Sequence, residues 1–392
     1  MSKLAVKNNR ILRSQQVLNA LIAIIRPYVP LDLQNTRITA EDIIAVLGYA
    51  SVHRISIDAA SHELKEAPSA NRLREVLAQA LPDRATLQRA LNTILRMQTP
   101  RFIKKGKRAY YMAIDLTLIP YHGEHYADEK EIIRSQPKSG TTHFHGYASV
   151  SIVHDNQRFV VALRFVEKGE SMQEIVAWLF DRLKSIGISI KRAYLDKGFC
   201  SVPVLKTLQR RKIKFIMPMP VRGKSGGVRK LFEASASHKT TYIFNSPKHG
   251  ELKVSAVAVK KYSKGRYQRK GTRWVAYAVA GSPKAVEPHQ AFELYRQRFG
   301  IETSYRQMNQ VRARTTSRNP VIRLLLVGLA FILFNLYIAN RQHFAICLKN
   351  PTKPFSKIWL TLRRLARMLA QAVENLFDLA DVVSRHTHVT LS

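Results

Sequence analysis

Acidic side chains are scarce in this sequence of 392 residues. Only 27 Asp and Glu stand against 64 Lys and Arg, which gives a formal net charge of +37. A small domain needs a net charge of only roughly 2–8 to remain soluble, so solubility alone does not explain this imbalance. A strongly basic surface attracts polyanions, and we therefore expect nucleic acid as the partner before membranes or acidic proteins.

Cysteine is also scarce. Cys200 and Cys347 are far apart and form no Cys-x-x-Cys pair, which excludes a disulfide framework and a cysteine-based zinc site. Residues 1–13 are polar and basic and contain no apolar stretch of the secretory kind. The sequence thus predicts a reducing compartment, the cytoplasm, with association with the nucleoid.

Long apolar runs are limited to one, from Leu324 to Asn340. It carries no charge, but Asn335 interrupts it and its length only reaches the lower limit of a spanning helix. Two interpretations are open, a membrane span and a buried core helix. The second is favoured, so no membrane partner is expected.

The first hundred residues have helical periodicity throughout, and small polar residues precede several of the helices, as N-caps do. The predicted helices are Ser14–Ile25, Ala40–Leu47, Ile57–Lys65, Ala70–Ala80 and Arg84–Met97. The pair around Pro68 has helix-turn-helix lengths, with Asn71, Arg72 and Arg74 where a recognition helix meets base edges. An ordinary helical bundle with a basic face is the alternative.

From residue 110 the periodicity becomes that of strands. Three strands are predicted at Ala109–Ile119, His143–His154 and Arg158–Glu167, followed by helix Met172–Ile186, strand Arg192–Leu195, helix Val202–Arg211 and strand Lys214–Met219. The order β-β-β-α-β-α-β, with an acid on the first and fourth strands, predicts an α/β fold of the ribonuclease-H-like kind.

A glycine-rich, basic stretch follows, with short strands predicted at Thr241–Asn245, Leu252–Val259 and Trp274–Ala280. It indicates a β-rich insertion, in which basic residues could follow a phosphate backbone while aromatic rings stack on bases. A solvated hairpin with aromatic rings packed beneath it is the alternative. The predicted DNA-binding residues of this stretch are Lys264, Arg266, Arg269, Lys270, Arg273 and Trp274.

Helical periodicity returns at Pro288, with a possible break at Gly300, and the sequence ends in an amphipathic basic segment, Ile358–Val383, suited to packing on the core or on a partner. Five segments are therefore predicted: a helical DNA-binding domain (1–100), a catalytic core in two parts (101–221 and 286–340) around the insertion (222–285), and a C-terminal helical segment (341–392).

Two aspartates occupy similar positions. Asp115 follows Tyr-Tyr-Met-Ala-Ile in an apolar strand, where a charged group must be paired, neutralised or metal-bound. Asp196 follows Ala-Tyr-Leu at the carboxyl end of a strand, where open sheets collect ligand sites. One such acid could be structural, but two are harder to explain in that way.

A third acid lies on a helix. Tyr295, Arg298, Glu302, Arg306 and Asn309 are separated by three, four, four and three residues, which places them on one helical face. Such a face could be a surface ladder of ion pairs, or it could supply the third carboxylate of the predicted fold. Glu293 is the only nearby acid that could replace Glu302, and it lies off this face.

Taken together, Asp115, Asp196 within Leu-Asp-Lys-Gly-Phe, and Tyr295-x-x-Arg298-x-x-x-Glu302 resemble the DDE transposases of insertion sequences. The resemblance is to the IS-four-like group and close relatives of ISH-three-like type, which carry a Tyr-Arg-Glu-Lys signature, and it covers about Arg108 to Asn340. The signature expects a lysine where this chain has Asn309, and Arg306 is the predicted substitute.

The resemblance implies that Asp115, Asp196 and Glu302 are both catalytic residues and ligands of Mg²⁺ or Mn²⁺, with two ions. Water would free a 3′-hydroxyl at each inverted-repeat end, and that hydroxyl would attack double-stranded target DNA. Tyr295, Arg298 and Arg306 would hold the DNA end, and a homodimer would form on DNA. The alternatives are a nuclease of this fold without strand transfer and an inactive, domesticated DNA-binding protein.

Histidines are frequent before and along the second strand, at His122, His125, His143 and His145. His143 and His145 share one strand face, so a zinc site is an alternative interpretation. Polar contacts near the active-site cleft are favoured over it.

Overall fold

The structure is a computed structural model that describes residues 11–34, 36–105, 108–126, 128–154, 157–264, 270–281, 286–347 and 360–382. The side chains in these ranges are described except at 105, 154, 157, 262–264, 270–272, 297–306 and 344–347. The chain forms two compact units, Met1–Ile94 with Gln307–Ser392, and Leu95–Arg306.

The first unit is built on helices from both ends of the chain. Its helices are α1 (Ser14–Ile25), α2 (Ala40–His53), α3 (Ile57–Glu63), α4 (Ala70–Ala80), the larger part of α5 (Arg84–Gln98), α10 (Pro320–Cys347) and α11 (Leu362–Phe377). Side-chain caps explain several of the starts: Thr39 accepts from the amide of Asp42, and Ser69 from that of Arg72. The helices predicted for the first hundred residues are therefore confirmed to within a few residues, except that α2 is longer.

The apolar run is a core helix. Helix α10 is long and apolar enough to cross a membrane, but 94% of its most apolar window is buried inside the structure. It packs against α2 and α11. This supports the core-helix interpretation of Leu324 to Asn340, although the run lies in the first unit rather than with the sheet, where the sequence had placed it.

The amphipathic C-terminal helix is likewise used within the first unit. In α11 the buried residues include Leu365, Leu369 and Val373, and this face packs on α1 and α2. The apolar face of α11 is therefore covered by the chain itself, which argues against its predicted availability for pairing with another subunit.

The second unit contains one sheet of nine strands within the described residues. They are β1 (Tyr110–Pro120), β2 (Ile133–Lys138), β3 (Thr141–His154), β4 (Gln157–Val166), β5 (Ile190–Tyr194), β6 (Phe215–Pro218), β7 (His238–Ser246), β8 (Gly250–Lys264) and β9 (Lys270–Val279). The helices of this unit are α6 (Arg101–Lys105), α7 (Met172–Ser185), α8 (Val202–Arg210) and most of α9 (Pro288–Asn309).

The centre of the sheet contains the strands that were predicted before the insertion. Strands run β4-β3-β1-β5-β6, in which β3 is antiparallel to its neighbours β1 and β4, whereas β1, β5 and β6 are parallel. Helices α7 and α8 make the crossovers that parallel strands require. The predicted series β-β-β-α-β-α-β is confirmed, with β2 as an additional short strand on the edge of β3.

The predicted β-rich insertion does not form a separate sheet. Strands β7, β8 and β9 form an antiparallel meander, and β9 pairs with β6, with Met217 opposite Ala278. The insertion therefore extends the central sheet by three strands.

Candidate active site

The two aspartates are brought together by the pairing of β1 with β5. In this parallel ladder Met112 lies opposite Ala193, and Ala113 lies opposite Tyr194. Asp115 and Asp196 each come two residues after this last pair, and side chains two residues apart point to the same face of a strand. Asp115, in the middle of β1, and Asp196, just after the end of β5, thus lie at the same level of neighbouring strands, which are about 4.8 Å apart.

The surroundings of Asp115 are closely packed. Met112, Ala113 and Ile114 are at most 1% exposed, and Asp115 lies opposite Ser149 of β3, which is also 1% exposed. Asp115 itself is half-buried. The strand is therefore fixed by apolar packing, while one oxygen-bearing side chain keeps access to solvent.

Asp196 is fixed by a short turn. Its carboxylate accepts a hydrogen bond from the backbone N–H of Lys197 at 2.6 Å, and its carbonyl accepts from the N–H of Phe199 at 3.0 Å. Gly198 in this turn has ordinary negative φ, and a Cβ placed there would meet no atom within 4 Å. The space beside Asp196 is therefore open to a ligand.

Tyr295 ties helix α9 to the same strand end. Its ring is 4% exposed and packs against Tyr277 of β9, with 5.2 Å between ring centroids. Its hydroxyl donates to the carbonyl of Leu195, the residue before Asp196, over 3.4 Å. This contact positions the helix beside the second aspartate, a role that the sequence pattern had not indicated.

The other predicted residues of α9 lie on a continuous helix. The backbone runs unbroken from Pro288 to Asn309, so the possible break at Gly300 does not occur. The side chains of Arg298, Glu302 and Arg306 lie outside the described residues. Glu293 is described: it is 60% exposed and pairs with Arg296 at 3.1 Å, one turn further on.

The hairpin formed by β8 and β9 carries the remaining predicted DNA-binding residues. Arg266 and Arg269, and the side chains of Lys264 and Lys270, lie outside the described residues. Arg273 is exposed. Trp274 is half-buried and stacks on Phe232 at 5.7 Å, with the ammonium of Lys260 5.7 Å from its ring centroid. One face of the indole is therefore already covered by an aromatic ring.

The strands of the insertion also contact the beginning of α9. Lys239 of β7 pairs with Glu287 at 2.6 Å, and the Lys261 ammonium lies over the ring of Phe292. Loss of hydration on burial lowers the pKa of Lys261. The insertion thus contacts the start of α9 at Glu287, Phe292 and Tyr295.

The histidines do not form a metal site with one another. His145 is fully buried and packs edge-on to Tyr121, 4.8 Å between centroids, whereas His122 and His125 are exposed. Among the side chains that the structure describes, no three His, Cys, Asp or Glu residues converge as metal ligands. The side chain of Glu302 lies outside the described residues, so this absence does not bear on a site formed by Asp115, Asp196 and Glu302.

Cys200 lies one turn beyond Asp196 and is buried, and its burial raises the pKa of the thiol to about 12. A thiol of this kind stays protonated at neutral pH and is inert. We therefore assign Cys200 to packing and not to chemistry.

Two aspartates at the same level of adjacent strands, in a sheet of order β4-β3-β1-β5-β6, are the arrangement of the ribonuclease-H-like class of fold. The sequence matches the family described as "Transposase DDE domain" over residues 107–336. The chain belongs to this family. It is a DNA transposase, which cleaves DNA and transfers the cut strand.

A solved structure shares this fold. The chain is similar in fold to a piggyBac transposase, determined by cryo-electron microscopy as a synaptic complex with hairpin DNA. The TM-score is 0.57 at 11% sequence identity, and the similarity covers 95% of this chain and 83% of that one. No curated protein matches the sequence.

Tyr295 provides a test of the positioning role. We expect Tyr295→Phe to retain DNA cleavage within a few-fold, because a single hydrogen bond contributes only about 1 kcal/mol. Tyr295→Ala should remove most cleavage, since truncating a buried aromatic ring costs about 3–5 kcal/mol and releases α9. The measurement is the Mg²⁺ concentration that gives half-maximal cleavage, which Tyr295→Ala should raise.

A direct DNA contact by Tyr295, as predicted from the sequence, would give a different result. The phenylalanine variant would then weaken DNA binding itself, without changing the Mg²⁺ requirement.

Proposed function

We propose that this chain cuts the ends of a mobile DNA element with three carboxylates, Asp115, Asp196 and Glu302. The observation that carries the proposal is the β1–β5 register, in which Asp115 and Asp196 follow the last paired residues by the same two positions. A structural role for the two acids would not require them to lie at the same level of neighbouring strands.

Helix geometry supports Glu302 as the third acid. Seven residues separate it from Tyr295, which is 20° short of two full helical turns and about 10.5 Å along the axis. Position 302 therefore lies on the face of α9 that carries Tyr295 to the carbonyl of Leu195. Glu293 does not share this face, and its carboxylate is already paired with Arg296.

The donor set fits hard divalent cations. Carboxylate oxygens are the ligands that Mg²⁺ and Mn²⁺ prefer, and we propose that Asp115, Asp196 and Glu302 hold two such ions. Bound in this way, the ions would supply activation of the attacking oxygen and stabilisation of the leaving one. The protein itself contributes fixed carboxylates on closely packed strands and an open approach beside Gly198.

The DNA end requires cations on the protein. We propose that Arg298 and Arg306, on the same side of α9 as Glu302, contact phosphates near the scissile bond. Arg306 would take the place of the signature lysine, because this chain has Asn309 at the lysine position. An arginine fork matches phosphate oxygens well. Lys264, Arg266, Arg269, Lys270, Arg273 and Trp274 would extend this contact along the hairpin.

The substrates follow from the family resemblance. We propose that the chain acts on inverted-repeat ends and double-stranded target DNA as a homodimer assembled on DNA, within the cytoplasm at the nucleoid, and that it belongs to the IS-four-like group. In this proposal helices α3 and α4 are the helix-turn-helix of a DNA-binding domain at residues 1–100. Here Arg72 pairs with Glu75 and Arg74 with Asp58, at 3.2 and 3.5 Å. To bind DNA phosphates, these arginines would have to break their ion pairs with the two carboxylates.

Strand transfer on the element's own ends tests the proposal. We expect pre-cut inverted-repeat ends, incubated with the full chain, Mg²⁺ and a supercoiled plasmid, to yield covalently joined products, because the freed 3′-hydroxyl is the nucleophile. Ends blocked with a 3′-deoxynucleotide are the control and should give none. Joining of unrelated DNA ends with equal efficiency would contradict recognition of inverted repeats.

A further inference from the structure

A basic segment follows directly after helix α9. Residues 311–319, hereafter the strap, connect α9 to α10 with no helix or strand. Its sequence, Val-Arg-Ala-Arg-Thr-Thr-Ser-Arg-Asn, contains no acidic residue, and none occurs anywhere between Glu302 and Glu374. The strap therefore lies in a stretch of chain that carries no negative side chain.

The strap alternates between covered and exposed side chains. Val311, Ala313 and Asn319 are buried, and Thr315 and Ser317 are half-buried, whereas Arg314, Thr316 and Arg318 are exposed. This alternation is typical of an extended chain, in which two residues span about 6.6 Å. In such a chain the exposed Arg314 and Arg318 are about 13 Å apart, with the exposed Thr316 between them.

The last three covered side chains of the strap, at alternate positions, hydrogen-bond to the backbone. The hydroxyl of Thr315 accepts from the N–H of Ser317, the hydroxyl of Ser317 from that of Asn319, and the side-chain Oδ1 of Asn319 from that of Val321, over 2.8 to 3.2 Å. These repeated bonds fix the covered side chains against their own backbone. The intervening side chains are consequently directed outwards.

A buried arginine fixes the strap from below. Arg323 of α10 is 7% exposed, and its guanidinium donates to the carbonyls of Ser317 at 2.6 Å and Thr315 at 3.4 Å. At the other end the N–H of Arg314 donates to the carbonyl of Ile55, at the corner between α2 and α3, over 3.0 Å. Placing a guanidinium in this setting is costly unless it is hydrogen-bonded, and here it holds two backbone groups in place.

We propose that the strap binds the phosphate backbone of one DNA strand through Arg314 and Arg318, and that Arg323 is a positioning residue that holds it in shape. A preorganised row of cations loses less entropy on binding than free side chains do. The contact is to phosphates and is therefore independent of base sequence. This inference rests on the DNA-processing function proposed above and adds a binding surface to it.

The salt dependence of DNA binding tests the strap. The full chain with Arg314→Ala and Arg318→Ala should bind duplex DNA with a slope of log affinity against log salt that is smaller by about 2, one for each lost phosphate contact. The matched control is Arg363→Ala with Arg367→Ala, which removes two exposed charges from α11 of the same unit and should leave the slope nearly unchanged. An unchanged slope in the strap variant overturns the proposal.

Two further measurements separate the alternatives. The loss should be equal on the element's end and on a scrambled duplex, and a loss confined to the end would show base reading and overturn the phosphate assignment. Arg323→Leu should reduce the slope although Arg314 and Arg318 are intact, whereas Arg323→Lys should restore part of it. If Arg323→Leu does not fold, the double variant alone decides the matter.

The strap and the three-acid site fail independently. Asp115→Asn should keep the wild-type salt slope while losing cleavage, and the strap variant should still cleave at low salt and saturating protein. Cleavage by Asp115→Asn would contradict the catalytic assignment without affecting the strap.

Discussion

Replacing any one of the three acids with its amide, as in Asp115→Asn, Asp196→Asn and Glu302→Gln, should abolish Mg²⁺-dependent DNA cleavage. The amides keep the volume of the side chain and remove the negative charge that holds the cations. A loss of several kcal/mol of transition-state stabilisation corresponds to about 10³-fold or more in rate. Binding to the element's end should remain nearly intact, since DNA affinity comes mainly from cations.

Single-turnover cleavage at saturating protein measures this effect without interference from binding. Glu293→Gln is the matched control, because it removes a carboxylate from the same helix at a site that is 60% exposed and paired with Arg296. Exposed pairs contribute little, so this variant should cleave at the wild-type rate. If Glu302→Gln retained full cleavage while Glu293→Gln lost it, the third acid would have to be reassigned to Glu293.

Local signals predicted the helices well. Polar residues placed just before an apolar period, such as Thr39 and Ser69, cap helices within a few residues of where they were expected, because a cap acts over one turn. Strand β2, in contrast, was missed because it carries no local signal. Its sequence, Ile-Arg-Ser-Gln-Pro-Lys, is exposed at five of six positions and contains proline, so no alternation marks it.

Long-range pairing could not be predicted in this way. The strands of the insertion were expected, but nothing local in Ala276 or Ala278 indicates that β9 pairs with β6 and extends the central sheet. Likewise, a long apolar period predicts that α10 is buried but does not say against which helices. The division of the chain into units depends on these non-local contacts.

The candidate site was predicted unevenly. Asp115 and Asp196 stand out because charged residues next to buried strands are rare and costly, and the β1–β5 register explains why they occur together. The positioning role of Tyr295 depends on a carbonyl 100 residues away, which no local pattern shows. The strap was missed because alternating Arg, Thr and Ser in a loop indicates nothing until Arg323 is seen beneath it.

The core of the first unit offers the second large effect, at the contact between α5 and α10. A Cβ on Gly328 would lie 2.5 and 2.6 Å from the two methyl carbons of Leu91, which is fully buried. Leu91→Ala should destabilise this unit by about 2–5 kcal/mol through lost burial and a cavity. Gly328→Ala should destabilise it by about 1–3 kcal/mol, although alanine is the better helix former, because the added methyl group would overpack the core.

The double variant should be more stable than the sum of the two losses predicts, by about 0.5–3 kcal/mol, since the new methyl group occupies the space that Leu91 vacates. Hydrogen exchange of the α5 and α10 amides is the suitable measurement, because a chain of two units need not unfold in one step. Leu376→Ala, at a leucine that is 47% exposed, is the control and should have little effect. Strict additivity would mean that Gly328 is not required for the approach of Leu91, and that α5 and α10 tolerate a wider spacing than the structure shows.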